Sequence, residues 1–471
     1  MKLVWLRRDL RVDDNSALIA ALNSNEPVAA VFIATPAQWQ QHHLAPIQAD
    51  LIWRRLAELS GELEALNVPL LYRQVDRYGQ AAQAVSELAL ELQANEVWVN
   101  RDYELNEQRR DALCEQLLEP HGVSFKSCHD KCALAPGEVK NQQGEYFKVF
   151  TPFKKAYLKL FYAQPLSVLK APQGVSWPLP SSLESWRFSK QAAFDYPRQT
   201  SQAWPAKTTE IIALLREFCQ QSADDYKLRR DFPAQAGTSK LSAYLAIGAL
   251  SVRQCLARLS YGHDVLSEGR QVWQSELIWR EFYQHLLWFE PKLSRGESFL
   301  NWGKRLAWQR SERHFDAWKQ GQTGYPIVDA AMRQLNQTGW MHNRLRMIVA
   351  SFLIKDLHIS WRQGEDYFMS QLIDGDYAAN NGGWQWCAST GCDGQPYFRI
   401  FNPITQGEKF DPEGEFVRHW VPELSEVPDK FLHQPWKWDG VKLLSYPAPI
   451  VDHKPEREIT LQLYKEAKDG N

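Results

Sequence analysis

Short apolar runs alternate with helical segments over the first hundred residues. Four runs have the length and the β-branched or aromatic content of buried strands: residues 2–6, 28–34, 68–73 and 96–100. Between them, apolar residues recur at helical spacing over residues 16–23, 49–66 and 79–94. Strands that alternate with helices in this way predict an α/β domain with a parallel sheet, in a Rossmann-like arrangement.

The pattern changes at about residue 130 and again at about residue 205. Pro, Ser, Gln and Trp dominate the stretch between, as in PQGVSWPLPSSLESW at 172–186, and predict a long connection with few elements. Beyond it the periodicity is helical and strand-like alternation is nearly absent. We therefore expect an α/β domain at 1–130, an interdomain linker at 131–204 and a large all-α domain at 205–471.

Composition narrows the range of functions. A chain of 471 residues is long enough for two or three hydrophobic cores. The formal net charge of -2 means that nucleic acid could be bound only by a local basic patch. The 20 tryptophans favour aromatic stacking surfaces or a chromophore environment, because an indole is large and is best placed with one edge buried.

Several classes of protein are disfavoured. No GxGxxG motif follows the first strand and no Walker-type loop occurs, so we do not expect dinucleotide binding by that fingerprint. No secretory signal or membrane-length apolar run is visible, and we expect a cytoplasmic protein with reduced cysteines that does not bind membranes. The pairs Cys128/Cys132 and Cys387/Cys392 lack the spacing of a metal site, and we expect no metal ion.

Two segments, 273–290 and 339–357, each predict a helix with two distinct faces. Beside an apolar stripe, the first helix carries an acid, a base and two aromatic residues: Glu276, Trp279, Arg280 and Tyr283. The second helix carries a comparable set: Asn343, Arg346, Met347 and Ala350. One such face is usually a solvated surface, but two of them favour the walls of a ligand-binding cleft.

Shorter features suggest contacts with anions. Thr238 or Ser239 is expected to cap a helix N-terminus, where an anion could bind, although most helices begin in this way. Basic runs at 226–231 and 342–346 could contact phosphates, but such runs are more often solvated surface.

The segment DGDYAANNGGWQWCASTGCD at 374–393 combines small polar residues with two large indoles. Its composition is typical of a surface loop, where two tryptophans have no evident structural need. Asp374 and Asp376 are compatible with metal ligation, with acid–base catalysis or with pairing to a buried arginine. Of these three roles, pairing of the aspartates with Arg280 or Arg346 requires the fewest additional residues.

These stretches together resemble the photolyase/cryptochrome family, and within it the class I cyclobutane pyrimidine dimer photolyases. The matching segments occur in the family's order: WLRRDLRVDDN at 5–15, GTSKLS at 237–242, WQSELIWREFY at 273–283, TGYPIVDAAMRQL at 323–335, GWMHNRLRM at 339–347, DGDYAANNGGWQW at 374–386 and PYFRIFNP at 396–403. The resemblance implies an α/β antenna-binding domain and a helical domain that binds FAD and DNA. The implied activity is light-driven repair of cyclobutane pyrimidine dimers, by electron transfer from excited reduced FAD (FADH⁻) to a flipped-out dimer.

The resemblance also implies which residues bind FAD: Tyr226, Thr238, Ser239, Lys240, Leu241, Ser242, Glu276, Arg280, Asn343, Arg346, Asp374, Gly375, Asp376 and Asn380. Residues 238–242 would hold the diphosphate, and Asn380 would lie beside N5 of the flavin. Asp374 would pair with Arg346. Gly382 and Gly383 would let the backbone bring the nearby indoles close to the cofactor.

Electron transfer and lesion binding are implied for further residues. Trp384, Trp361 and Trp308 resemble the family's chain of electron carriers from the flavin to the surface. Glu276 would hydrogen-bond the dimer bases and Met347 would pack on the dimer. The contacts expected for DNA are Arg230, Trp279, Tyr283, Asn343, Arg344, Trp386, Arg399 and Gln406, with Trp279 and Trp386 as the wall of the dimer pocket.

A second chromophore is implied as well. Asn106 and Glu107 match positions that hold a folate antenna, 5,10-methenyltetrahydrofolate. Where the family often has a lysine near the antenna, this chain carries Arg295, so a deazaflavin stays an alternative. We expect a monomer whose partner is DNA that contains cyclobutane pyrimidine dimers.

Rival functions remain at this point. A cryptochrome, a blue-light receptor without repair activity, commonly has a long C-terminal extension, whereas this chain ends soon after a final helical segment, and Asn380 matches the photolyases. The neighbours His342 and Asn343 disfavour a (6–4) photolyase, and Trp279 disfavours a DASH-type cryptochrome. A generic flavin electron-transfer protein would explain the tryptophan chain, but not the basic and aromatic residues.

Overall fold

The computed structural model describes residues 1–191 and 193–470. The chain divides into two compact units, each built from segments that are distant in sequence. The first unit comprises Met1–Asp224, Ser239–Ser294 and Ile373–Ala378. The second unit comprises Asp225–Thr238, Arg295–Leu372 and Ala379–Asn471.

A five-stranded parallel sheet, of order β3-β2-β1-β4-β5, forms the centre of the first unit. Its strands are β1 (Lys2–Leu6), β2 (Val28–Ala34), β3 (Leu70–Gln74), β4 (Glu96–Asn100) and β5 (Ser124–Cys128). Every residue of β1 and β2 is buried, as expected where helices cover both faces of a parallel sheet. The predicted parallel sheet is confirmed, and β5 adds a fifth strand at its edge, where alternating polar residues gave no strand signal.

Helices are numbered along the whole chain, and most of the first ten belong to the first unit. They are α1 (Ser16–Leu22), α2 (Pro36–Gln41), α3 (Pro46–Glu64), α4 (Tyr78–Glu91), α5 (Leu105–Leu118), α6 (Phe150–Ala163), α7 (Thr208–Gln221), α8 (Tyr226–Arg229), α9 (Ser242–Ala246) and α10 (Val252–Ser260). The long helix α11 (Glu268–Phe289) completes the first unit, whereas α8 lies in the second. One core of the first unit packs Leu3, Val31 and Val97 of the sheet against Leu88 and Cys114 of α4 and α5.

Helix α6 lies in the stretch 131–204, for which few elements are predicted. Phe150, Phe153, Tyr157 and Phe161 are buried and follow one face of the helix. Phe153 packs against Phe282 of α11 with ring centroids 5.1 Å apart. The Pro- and Ser-rich sequence around it obscured this amphipathic pattern.

Among the described residues of the second unit all regular elements are helical, which confirms the predicted all-α part of the fold, whereas the bounds 205–471 stay a prediction. They are α8, α12 (Glu312–Gln320), α13 (Pro326–Thr338), α14 (Asn343–Lys355), α15 (Trp361–Gln371), α16 (Tyr377–Cys387, which begins in the first unit), α17 (Pro403–Phe410), α18 (Glu415–Trp420) and α19 (His453–Asp469). Trp318, Leu345 and Phe352 are fully buried in its main core. None of the described helices is both long and apolar enough to cross a lipid bilayer.

Helix α16 replaces the loop expected from its composition. Asn381 donates a hydrogen bond of 2.7 Å to Oε1 of Glu365, and Gln385 donates one of 2.9 Å to Oδ1 of Asn381. These three side chains are buried. One buried hydrogen bond to α15 and one within α16 therefore offset the low helix propensity of Asn and Gly.

Candidate active site

The mixed face of α11 lies in the first unit and is half-buried. Glu276, Trp279, Arg280 and Tyr283 are partly exposed, whereas the apolar stripe with Ile278 and Phe282 is fully buried. The indole of Trp279 stacks on Phe150 of α6, with ring centroids 3.6 Å apart and planes inclined by 10°. Phe150 therefore holds this indole in place, a role that the sequence did not suggest.

The aspartate pair is clamped by three elements of the first unit. Asp374 accepts a hydrogen bond of 2.6 Å from the hydroxyl of Ser242, and both carboxylate oxygens of Asp376 accept from Nε2 of Gln284, at 3.1 and 3.0 Å. Nε2 of the buried Gln48 donates to the carbonyls of Ile373 and Gly375, at 2.9 and 3.0 Å. Gln284 follows Arg280 by one turn and could have been found from periodicity, whereas Gln48 had no local signal.

The expected helix cap at Thr238 or Ser239 was wrong. Helix α9 begins after Leu241, and no side chain caps its N-terminus. Lys240 has a φ of 51°, so the chain turns sharply before the helix, and the hydroxyl of Ser239 accepts only from the N–H of Leu241, at 3.4 Å. The assignment of residues 238–242 to a diphosphate stays a prediction.

Helix α14 has the two predicted faces in the second unit. Leu345, Ile348 and Val349 are buried, Asn343 is exposed, and Arg346 and Met347 are half-buried. Ala350, which was expected on the polar face, is instead buried in the core.

Arg346 is oriented by its own helix start. Its Nε donates to the carbonyl of Met341 at 2.9 Å. This bond fixes the side chain at the beginning of α14.

Between Ala379 and Gly383, the partly exposed positions of α16 carry only small side chains. Ala379, Asn380 and Gly383 are half-buried, and a Cβ added at Gly383 would meet no protein atom within 4 Å. Nδ2 of Asn380 donates to the backbone carbonyl of Glu365 at 3.0 Å, which turns the amide oxygen away from α15 as an acceptor. The position of Asn380 beside N5 of a flavin stays a prediction.

The three tryptophans of the predicted electron-transfer chain belong to one core cluster of the second unit. Trp384 and Trp361 are 3% and 2% exposed, whereas Trp308 is partly exposed at the edge of the cluster. The N–H of Gln309, next to Trp308, donates to the carbonyl of His358 at 2.8 Å, so this segment runs beside the residues that precede Trp361. In the predicted order the two buried members, Trp384 and Trp361, thus precede the partly exposed Trp308, as a path from a buried cofactor to solvent requires.

Two arginines predicted to contact DNA lie together in the second unit. Nη2 of Arg344 donates to Asp231 at 2.9 Å, and Nε of Arg230 lies 3.9 Å from the same carboxylate. The guanidinium of Arg344 also lies over Phe410, and its Nη1 is 3.8 Å from the sulfur of Met347. Positive charge and the methionine predicted to contact the lesion are therefore adjacent.

Three other predicted DNA contacts are also in the second unit. Arg399 is exposed, and Gln406 is half-buried in α17. Trp386 is half-buried at the end of α16.

The predicted antenna residues lie at the carboxyl end of the sheet in the first unit. Glu107 is buried and accepts from the hydroxyl of Tyr78 at 2.8 Å, whereas Asn106 is exposed and lies 3.2 Å from Nε2 of His42. Burial and the nearby Glu104 raise the pKa of Glu107 to about 7, and burial lowers the pKa of His42 to about 4. At neutral pH His42 is therefore uncharged.

The crevice between β1 and β4, where open α/β sheets usually bind ligands, is filled by side chains. Nδ2 of Asn100 donates to Asp9 at 2.6 Å and to Oδ1 of Asn15 at 2.8 Å, and Arg7 donates to the carbonyl of Asn100. Binding of an antenna at the rim that carries Asn106 and Glu107 stays a prediction.

One buried group of potential metal ligands occurs among the described residues, namely Cys132, Glu281 and His285. Glu281 accepts from the N–H of Ala133 at 2.7 Å, and His285 donates to the carbonyl of Leu134 at 2.9 Å. These side chains anchor the chain that follows β5. The expectation of no metal ion stays a prediction.

The predicted site residues divide between the two units. The first contains Ser239, Lys240, Leu241, Ser242, Glu276, Trp279, Arg280, Tyr283, Asp374, Gly375 and Asp376. The second contains Tyr226, Arg230, Thr238, Trp308, Asn343, Arg344, Arg346, Met347, Trp361, Asn380, Trp384, Trp386, Arg399 and Gln406. The pairing of Asp374 with Arg346 and the wall formed by Trp279 and Trp386 would join the units and stay predictions.

Comparisons with known proteins identify the family. Residues 273–466 match the FAD binding domain of DNA photolyase, and residues 2–173 match DNA photolyase. The deoxyribodipyrimidine photo-lyase of Vibrio cholerae serotype O1 is 63% identical over 470 residues, with 99% of this chain and 100% of that protein covered.

Solved structures agree with this result. A class III photolyase from Agrobacterium tumefaciens has a TM-score of 0.84 at 35% identity, with 99% of this chain and 98% of that chain covered. A photolyase from Sulfolobus tokodaii, described with two FAD molecules and a novel light-harvesting cofactor, has a TM-score of 0.84 at 31% identity, with 99% and 100% covered.

A parallel α/β unit and a helical unit with an FAD-binding domain define a flavoprotein of the photolyase type. The chain belongs to the DNA photolyase family.

Proposed function

We propose that the residues described above bind FAD and carry out light-driven repair of cyclobutane pyrimidine dimers in DNA. The chain is an enzyme, a deoxyribodipyrimidine photo-lyase, in agreement with the name of its relative at 63% identity. The observation that carries the residue assignment is the arrangement on α16. Asn380, oriented by Glu365, and Trp384, at the buried start of the tryptophan chain, lie one helical turn apart.

The protein's part in catalysis is to bind, orient and tune a cofactor. Bound FAD, when reduced and photoexcited, supplies the electron that opens the cyclobutane ring and takes it back afterwards. Asn380 would accept a hydrogen bond from the flavin with its amide oxygen. Asp374 and Asp376, held by Ser242 and Gln284, would help to hold the cofactor. Trp384, Trp361 and Trp308 carry electrons inward from solvent when the cofactor has become oxidised.

The lesion must leave the duplex before it can reach a buried cofactor. Photolyases are among the enzymes that extrude their target bases, at a lower cost for a damaged pair. Arg230 and Arg344 neutralise phosphates beside the extruded dimer, and Arg399 and Gln406 contact the same strand. Glu276 hydrogen-bonds the dimer bases, and Met347, Trp279 and Trp386 pack on their rings.

The antenna is proposed to be 5,10-methenyltetrahydrofolate, because Glu107 and Asn106 offer an acceptor and an amide at one rim. The pterin ring of this folate carries adjacent N–H groups at one edge, which can donate hydrogen bonds to a carboxylate. A deazaflavin, or a second FAD as described for the Sulfolobus tokodaii photolyase, is the alternative. The absorption spectrum of the ligand released from purified protein separates the three.

The test of the function is repair of a defined lesion. The purified protein, with its flavin reduced, is mixed with an oligonucleotide that carries one thymine dimer and exposed to blue light. We expect thymines to be restored in the light and not in the dark, and we expect tighter binding to the lesion than to the undamaged strand. A protein that binds FAD and photoreduces it, but shows no preference for the lesion, would contradict the proposal and favour a cryptochrome.

A further inference from the structure

Lys355, the last residue of α14, is fully buried in the second unit. Its Nζ donates to the hydroxyl of Ser389 at 3.3 Å and to the backbone carbonyl of Arg399 at 3.1 Å. Both acceptors are neutral oxygens. A buried ammonium without a carboxylate in hydrogen-bond contact is costly, so a role is expected for it.

The chain that Lys355 holds is the segment from Ala388 to Arg399. Two other bonds anchor its beginning: the hydroxyl of Tyr464 donates to the carbonyl of Ala388 at 2.8 Å, and Nε2 of Gln395 donates to the carbonyl of Cys387 at 3.3 Å. Its far end is exposed, with Phe398 61% accessible and Arg399 beside it. Tyr397, two residues before Arg399, also stacks on the buried Tyr464 with ring centroids 6.0 Å apart. The bond from Lys355 is the polar contact that joins the interior to Arg399 itself.

We propose that Lys355 is a positioning residue for DNA binding, whose ammonium fixes the backbone from which Arg399 projects toward the lesion-bearing strand. The inference rests on the proposed contact between Arg399 and DNA. Lys355 itself touches neither FAD nor DNA in this role. It acts by keeping the exposed end of the segment in one place, which lowers the conformational entropy lost on binding.

The surroundings of Lys355 make this bond sensitive to pH. Burial lowers the pKa of Lys355 to about 8, and the thiol of Cys387 and the carboxyl of Asp356 oppose this shift. Burial raises the pKa of Cys387 to about 12 and that of Asp356, which is bonded to His453, to about 6. The ring of Tyr464, whose pKa is also raised by burial, lies 5.9 Å from Nζ. Lys355 is therefore the group of this cluster that changes charge near pH 8.

Loss of the charge affects DNA binding and folding stability in opposite directions. Above pH 8 the neutral amine forms weaker hydrogen bonds, so the affinity for DNA falls. In the unfolded chain the pKa returns to about 10.5, so between the two values the unfolded state binds more protons and stability rises with pH. General loosening of the fold would lower affinity and stability together.

The experiment measures the dissociation constant for a thymine-dimer oligonucleotide between pH 7 and pH 9.5, together with FAD content and thermal stability. For the wild type we expect the affinity for the oligonucleotide to fall about three- to tenfold as the pH rises past 8. Deprotonation of Lys355 should not lower the folding stability over the same range. Lys355→Met should bind several-fold more weakly already at pH 7 and show a flat profile. Tyr464→Phe, which loosens the same segment without removing the charge, should bind more weakly and keep the pH dependence.

Controls separate this inference from the proposed function. Lys304→Met, at an exposed lysine bonded to Glu297, should bind as the wild type does. If Arg399→Ala leaves affinity unchanged, the proposed contact of Arg399 fails, whatever Lys355 does. If Arg399→Ala weakens binding but Lys355→Met keeps wild-type affinity and pH profile, the inference on Lys355 is wrong. If Lys355→Met does not fold, the wild-type protein still gives the test. A DNA affinity of the wild type that does not fall near pH 8 would contradict the inference on Lys355.

Discussion

The ring of Trp384 lies directly against the backbone of Gly364. A Cβ at position 364 would be 2.1 Å from Cη2 of Trp384 and 2.7 Å from Cδ2 of Leu353. Gly364 follows Trp361 by one turn of α15, so the glycine lets one indole of the chain approach the helical turn that carries the next.

Replacement of Gly364 by alanine should therefore disturb both the fold and the electron path. The buried indole cannot move aside freely, and overpacking of this kind costs about 1–3 kcal/mol. We expect a lower melting temperature and slower blue-light reduction of the bound flavin. Gly61→Ala in α3, where a Cβ meets nothing within 4 Å, should instead stabilise the protein by about 0.5–1 kcal/mol. A Gly364→Ala protein with wild-type stability would show that the contact is not tight.

Substitution of Trp361 by phenylalanine should interrupt the chain in its middle. Phenylalanine is much harder to oxidise than tryptophan. We therefore expect light-driven flavin reduction to slow by about tenfold or more, which corresponds to an increase of ~1.4 kcal/mol in the activation free energy. Repair by protein reduced chemically beforehand should be retained, because the lesion receives its electron from the flavin. Trp177→Phe in the first unit, whose indole donates to the carbonyl of Val28, serves as the control. Equal photoreduction by the Trp361 and Trp177 variants would exclude this path.

Glu365→Gln should change how stability depends on pH. Burial raises the pKa of Glu365 from 4.5 to about 7, so the folded state binds more protons than the unfolded state between these values, and stability falls as pH rises through that window. Glutamine keeps an acceptor for Asn381 and cannot ionise. Above pH 7 the variant should be more stable than the wild type by at most about 3 kcal/mol, and near pH 5 the gain should shrink. Denaturant titrations at both pH values, with the exposed Glu64→Gln as control, measure this, and a gain independent of pH would refute the assignment.

Gln48→Leu should weaken FAD binding, although Gln48 is more than 300 residues away in sequence from the aspartate pair that it supports. The substitution removes the donor to the carbonyls of Ile373 and Gly375, and each unsatisfied buried acceptor costs about 1–3 kcal/mol. We expect a lower melting temperature and about tenfold weaker retention of FAD on dilution, since ~1.4 kcal/mol is tenfold in affinity. The exposed Gln40→Leu in α2 should have neither effect. Loss of stability without loss of FAD would restrict Gln48 to a structural role.

Glu107→Leu tests the antenna site separately from the flavin. Leucine keeps the volume but removes the acceptor that now binds the hydroxyl of Tyr78. We expect the purified protein to lose its antenna absorption, to keep its FAD and to repair normally under light absorbed by the flavin itself. Glu91→Gln at the end of α4 should retain the antenna. An unchanged antenna band in the Glu107 variant would show that the antenna does not depend on Glu107 and binds elsewhere.

Local periodicity in the sequence was enough for the sheet of β1 to β4 and for the two-faced helices α11 and α14. The side chains that define one face are three or four residues apart in a helix and two residues apart in a strand. A single short segment of sequence therefore contains the whole pattern. The same spacing is sufficient to place Glu276, Trp279 and Arg280 on one face of α11.

Tertiary structure alone decided the helical state of α16 and the roles of Gln48, Glu365 and Lys355. Gln48 bonds to carbonyls 325 and 327 residues away, and Lys355 to one 44 residues away, so no window of sequence contains both partners. Residues 377–387 have the composition of a loop, yet buried hydrogen bonds to α15 stabilise a helix there. Hydrophobic periodicity is a property of one segment, whereas the satisfaction of a buried polar group depends on what the fold places beside it.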